Sequence, residues 1–244
     1  MAGVTGRDPR TAELAANLAA LRERIAAACG AAGRRPDEVT LIAVTKTFPA
    51  RDVRRLVALG VADVGENRDQ EARAKTAELA DMSGVRWHFV GRLQRNKVNH
   101  VVGYADVVHA VDRPELVAAL AAAAERSRQT SLDALVQVNL DTDPDDAARR
   151  GGAAPGDVPT LADQIADAGS LRLVGLMAVA PLGADPEPAF ARLVEVADRL
   201  RADHPDARML SAGMSADLEA AIRHGATHVR VGTALLGGRT RPVR

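Results

Sequence analysis

At 244 residues, 47% apolar and 26% charged, the chain is long enough for one large domain with a substantial core and has the balance of a soluble globular protein. Lysine plus arginine and aspartate plus glutamate both number 32, so no overall charge draws it to nucleic acid or an anionic membrane, and any anion site must be local. Cys29 is the only cysteine, which excludes an intrachain disulfide, and aromatic residues, at 2%, are too few for a base-stacking platform. The opening MAGVTGRDPR lacks the apolar stretch of a secretory signal, and no window approaches the roughly 18 apolar residues of a membrane helix. A soluble cytoplasmic protein is expected, a monomer because no exposed apolar stripe stands out, with no metal set.

Residues 1–9 read as a disordered segment. Leu14, Leu18, Leu21 and Ile25 then recur at helical spacing, and Gly30 and Gly33 follow as stops. Eight strand-like runs come next: TLIAVT from Thr40, ADVGE from Ala62, RWHFVG from Arg86, ADVVHAV from Ala105, ALVQVNL from Ala134, LRLVGLMAV from Leu171, ARMLSAG from Ala207 and THVRVG from Thr227. Amphipathic helices fall between them, among them 51–60, 113–128 and 186–203. Near-continuous apolar strands alternating with helices indicate parallel strands covered on both sides. Eight such units predict a single-domain (β/α)8 TIM barrel with an extra N-terminal helix; an open doubly wound sheet is the alternative, but no G-x-G-x-x-G follows the first strand. The segment 141–160, rich in Asp, Pro and Gly, reads as a mobile loop after strand five. The barrel domain is placed at 10–238 and a basic tail at 239–244.

Barrel chemistry gathers at the C-terminal ends of the strands. Strand one ends in Lys46, where an apolar run would least tolerate an ammonium group. In LSAGMSADLEAAI a glycine allows close backbone approach and Ser215 sits where a helix should begin; in VRVGTALLGG, Gly232 and Thr233 head a short last helix. Helix N-termini suit phosphate, and strands seven and eight often carry such sites in barrels. Alternation puts His228, Arg230 and Gly232 on one strand face, with Arg230 aimed at a ligand's ring nitrogen or carboxylate or else held in a structural ion pair. A lysine, a phosphate cradle and an arginine point to pyridoxal 5′-phosphate (PLP), an aldehyde that Lys46 can attack.

The motifs AVTKTFP, GENRDQE, WHFVGRLQRNK, LVGLMAV, LSAGMSADLEAAI and VRVGTALLG, spread over about residues 10–238, resemble those of the YggS/PROSC family of pyridoxal phosphate homeostasis (PLP-binding) proteins. The resemblance implies one PLP-binding barrel like the N-terminal domain of alanine racemase. It implies a Schiff base on Lys46. Ser211, Gly213, Met214, Ser215, Gly232 and Thr233 would surround the phosphate, Arg230 would face the pyridine nitrogen, and Asn67 and Met177 would line the cofactor. Where the family often has a lysine after strand five, DAARRGG offers Arg149 or Arg150, and arginine forms no Schiff base near neutral pH.

An arginine at the ring nitrogen leaves PLP a poor electron sink. Tyr104, which precedes strand four, supplies no second acid–base group, and His88 reads as a satisfied core histidine. A carrier engaged in PLP supply, with PLP-dependent apoenzymes as partners, is therefore expected over turnover. A PLP-dependent amino-acid racemase-like enzyme and a Schiff-base aldolase of a sugar phosphate are the alternatives.

Overall fold

The computed structural model describes residues 8–142 and 150–238. Most of the amino-terminal segment, Arg149 and the tail from residue 239 therefore lie outside the described residues. Helix α1 (Pro9–Ala31) starts earlier than expected, because the Asp8 side chain accepts from the Arg10 amide and Pro9 takes the first turn.

The remaining elements alternate. They are β1 (Thr40–Val44), α2 (Ala50–Ala58), β2 (Asp63–Glu66), α3 (Asp69–Glu78), β3 (Arg86–Phe89), α4 (Val98–Tyr104), β4 (Val107–Val111), α5 (Pro114–Ser127) and β5 (Leu132–Val138). Then come α6 (Val158–Asp167), β6 (Leu171–Ala178), α7 (Glu187–Asp203), β7 (Met209–Ser211), α8 (Leu218–Arg223), β8 (His228–Val231) and α9 (Thr233–Leu236). The eight strands form a closed barrel in sequence order, and β8 returns parallel to β1 with Arg230 opposite Ile42. The expected (β/α)8 barrel with its extra first helix is present.

Two corrections concern loops. The 141–160 segment is not loop throughout: a 3₁₀ turn at Pro155–Asp157 leads into α6, whose Val158, Leu161, Ala162 and Ile165 bury a helical stripe. Before it, Ala153 bridges to Val138, so the chain returns to β5. Strand β5 also stops at Val138, one residue before Asn139.

Period-two alternation divides each strand between two cores. Ile42, Val107, Leu135, Met177 and Met209 cluster inside the barrel. Ala43, Val229 and Val231 face outward and pack with Leu14, Leu18, Leu21 and Ile25 of α1. The same helix holds α9 directly, since Arg10 Nη2 donates to Leu236 O at 2.9 Å and Asn17 Nδ2 to Leu235 O at 3.0 Å. The extra helix thus braces the wall that carries the end of β8.

Leu14 is fully buried whereas Leu182 is 80% exposed. Leu14→Ala is expected to lower stability by about 3 kcal/mol, and Leu182→Ala to stay within about 0.5 kcal/mol, read from urea unfolding midpoints.

Candidate functional site

Lys46 lies two residues beyond Val44, continuing the inward row begun by Ile42, in the turn that leaves β1. It is half-buried, and among the described residues its amine makes no hydrogen bond or ion pair. Its two neighbours are gripped by α3. Lys75 Nζ donates to Thr45 O at 2.6 Å and to Glu66 Oε1 at 2.5 Å, and Thr45 Oγ1 donates to the same carboxylate oxygen at 2.5 Å. On the other side Glu71 Oε2 accepts from the Thr47 amide at 2.8 Å. Thr47 has φ 70°, the one positive φ outside glycine among the described residues. A β-branched residue adopts that conformation only when its surroundings impose it. Lys46 is held by its backbone while its amine stays uncommitted. Burial pushes the Glu66 carboxyl up, against the opposing pull of Lys75 and Thr45.

On the neighbouring strand β8, Arg230 is 5% exposed. It makes no ion pair among the described residues. Nη1 donates to Ser211 O and to Ser211 Oγ, both at 2.7 Å, and Nη2 donates to Ala178 O at 2.8 Å. A guanidinium has five N–H donors, so Nε–H and one Nη2 hydrogen remain uncommitted. Burial lowers its pKa to about 10, which leaves it charged at neutral pH.

Ser211 is the start of a polar chain through the barrel. Ser211 Oγ lies 3.1 Å from His109 Nδ1, His109 Nε2 lies 2.9 Å from His88 Nδ1, and His88 Nε2 lies 2.8 Å from Asp63 Oδ1. Because Arg230 can only donate, the hydroxyl proton goes to His109 Nδ1, and each imidazole then carries its proton on Nε2. The chain runs in one sense from guanidinium to carboxylate, with both histidines neutral. Burial lowers both, His109 well below the ordinary imidazole value. His88 is thus a satisfied core histidine.

The expected phosphate residues divide. Ser211 is fully buried and spent on Arg230 and His109, so it belongs to the arginine's support rather than the cradle. Ser215 does not begin a helix: Asp217 accepts the Met214 amide at 2.6 Å and α8 starts only at Leu218. Ser215 Oγ instead accepts from the Ala234 amide at 3.4 Å, which joins the loops after β7 and β8. Gly213 O accepts from Arg230 N, placing this turn beside the Arg230 backbone. Gly232 precedes α9, whose first residue Thr233 is exposed; a Cβ at 232 would come within 3.1 Å of Val44 O. Met177 is buried in β6 and Asn67 follows β2, its Oδ1 buried without a partner among the described residues. Arg150 is engaged, with Nη1 donating to Ala180 O at 2.8 Å and Nε 3.5 Å from Asp141.

The strand ends therefore fit PLP. An uncommitted amine, a donor edge of a buried guanidinium and a backbone cradle opened by Gly232 converge on one barrel mouth.

Comparison with known proteins agrees. The family model described as "Alanine racemase, N-terminal domain" matches residues 16–240. A relative named "Pyridoxal phosphate homeostasis protein" from Mycobacterium tuberculosis (strain ATCC 25618 / H37Rv) is 48% identical over 247 residues, covering 94% of each chain. The chain belongs to the pyridoxal phosphate homeostasis protein family. PipY of Synechococcus elongatus PCC7942, solved with PLP bound, is 36% identical to this family member, with a TM-score of 0.79 over 92% of this chain and 100% of that one. Its form without PLP gives 37% and 0.81, with the same coverage.

Sequence reading missed Glu71, Lys75, His109 and Asp63 as parts of the site. Alternation could have put His109 on the inner face of β4, but nothing periodic marks a Lys75 contact reached across 30 residues.

His88, His109 and His228 are all lowered by burial, His228 to about 4. Unfolded imidazoles titrate near ~6.5. As pH falls below that value the unfolded chain takes up protons that the folded chain refuses, so stability falls with acidification until about pH 4 for His228. The raised Glu66 works in the opposite sense. Each histidine contributes a slope of up to about 1.4 kcal/mol per pH unit. His228→Gln is expected to remove one such share between about pH 6 and pH 5, read by urea unfolding across that range.

Proposed function

We propose that this protein holds PLP on Lys46 and serves as a carrier in PLP homeostasis. The observation that carries the reading is that only three lysines occur in the chain, and Lys46 alone among them has no carboxylate partner among the described residues. Lys75 is buried against Glu66, and Lys97 lies 3.8 Å from Asp69. When bound, PLP supplies an aldehyde carbon that an amine takes up and releases reversibly. Lys46 provides that amine. Met214, Ser215, Gly232, Thr233 and the Gly213 turn surround the phosphate, while Asn67 and Met177 line the ring. Arg230 donates to the ring nitrogen, and Ser211 orients Arg230. PipY, with PLP in its solved structure, supports the assignment.

The carrier reading follows from what the side chains are already doing. Arg230 can only donate, so it keeps the ring nitrogen free of a proton. His88 and His109 are spent inside the barrel. Tyr104 ends α4 with a buried hydroxyl, which burial and the Asp69 and Glu66 charges push above its ordinary pKa. None of these offers a proton on the face opposite Lys46. The 10–238 segment acts as one binding domain. The cytoplasm is the proposed location, and among the described residues no helix is long and apolar enough to cross a membrane. A monomer that passes PLP to apoenzymes suits a surface whose exposed large apolar side chain, among the described residues, is Leu182.

The test is an absorption spectrum of PLP-saturated, desalted protein, followed by borohydride reduction and peptide mass mapping. Wild type should show a visible band and one cofactor mass fixed at Lys46, both lost in Lys46→Ala. A wild type that gains no mass, or gains it at Lys75 or Lys97, overturns the assignment.

A further inference from the structure

Beside the barrel mouth, at the ends of β2, β3 and β4, lies a cleft of about 870 Å³ that shares only Asn67 with the residues assigned to PLP. Its construction depends on a close backbone approach. A Cβ at Gly91 would fall 2.5 Å from Asn67 O, so only glycine lets the loop after β3 lie directly on the loop after β2. That contact brings Arg68 from one loop and Arg92, Arg95 and Lys97 from the other onto one cleft, with Arg113 from the end of β4.

The charges do not cancel. Arg68 is paired with Glu71 at 2.8 Å, Arg113 with Asp112, and Lys97 faces Asp69 at 3.8 Å. Arg92 and Arg95 are exposed and make no ion pair or hydrogen bond among the described residues. The chain as a whole is neutral, so this is a local surplus of two guanidinium charges. Two residues of its lining also carry buried acceptors. Asp69 is 8% exposed; its Oδ2 is held by His100 Nδ1 at 3.0 Å, while its Oδ1, like Asn67 Oδ1, is buried without a partner among the described residues. Two orphaned buried acceptors call for a hydrogen-bond donor.

We propose that this cleft is a second ligand site, for a phosphate monoester that also carries hydroxyl donors. A phosphate monoester bears close to two negative charges near neutral pH, matching the two unpaired arginines, whose forked donors suit phosphate oxygens. Its hydroxyls donate to Asp69 Oδ1 and Asn67 Oδ1. Asn67 apart, the site stands on its own residues, and its arginines do not depend on what occupies the barrel mouth.

Calorimetric titration of the full chain with glycerol 3-phosphate tests it, with glycerol and inorganic phosphate as comparisons. Wild type should bind glycerol 3-phosphate, ignore glycerol, and bind inorganic phosphate more weakly. Arg92→Ala with Arg95→Ala should weaken binding by about ten-fold or more, and Arg92→Lys with Arg95→Lys should restore part of it. Ser215→Ala, at the barrel mouth, should leave this binding in place. Absence of binding by wild type overturns the site. So does binding that survives the double alanine variant but is lost in Ser215→Ala, since the phosphate then sits at the mouth. Equal affinity for inorganic phosphate removes the role of Asp69 and Asn67. Failure of the PLP assignment would show instead as missing mass on Lys46, with these titrations unchanged.

Discussion

A guanidinium buried without a carboxylate partner is the constraint on which the site depends. Removing a charge from water costs several kcal/mol unless its donors are met. Arg230 meets three of them with Ser211 O, Ser211 Oγ and Ala178 O, all fixed by neighbouring strands. The hydroxyl then passes its own hydrogen bond to His109, His88 and Asp63, so a charge near the mouth is answered by a carboxylate on β2. Chains aligned in one sense polarise one another. Arg230 can only donate, and two of its donors remain uncommitted among the described residues.

On the adjacent strand the barrel solves the reverse problem, keeping a lysine near the interior with its amine free among the described residues. The solution is to bind the residues on either side of it. Helix α3 does this with Lys75 on the Thr45 carbonyl and Glu71 on the Thr47 amide, and the strained φ of Thr47 is held by that second bond. The outward-facing Glu66 completes the clamp from behind β2. Amine and guanidinium are thereby preorganised by different shells, one built outside the barrel wall and one inside.

Much of this was legible in the sequence. The strands announce themselves as short apolar runs because both of their faces are buried, and the period-two reading of HVRVG placed Arg230 inward. Lys46 stood out as a charge at the end of such a run. Ser211 was misassigned because proximity to the glycine turn suggested phosphate, whereas alternation from Met209 puts it on the inner face beside Arg230. Ser215 failed as a helix start because Asp217 captures the Met214 amide and delays the helix. In 141–160, Pro155 and Pro159 look like loop signals, yet both fall in first-turn positions where proline is tolerated. The clamp from α3 was invisible, since contacts such as Lys75 to Thr45 follow from barrel closure rather than from any local pattern.

The most direct measurement is the ¹⁵N chemical shift of the ring nitrogen of labelled PLP bound to the protein, followed with pH near neutrality. An unprotonated nitrogen that accepts a hydrogen bond in wild type, and changes its shift in Arg230→Gln, is the predicted result. A protonated ring nitrogen, or a shift indifferent to Arg230, would contradict the assignment of the buried arginine to the cofactor's ring.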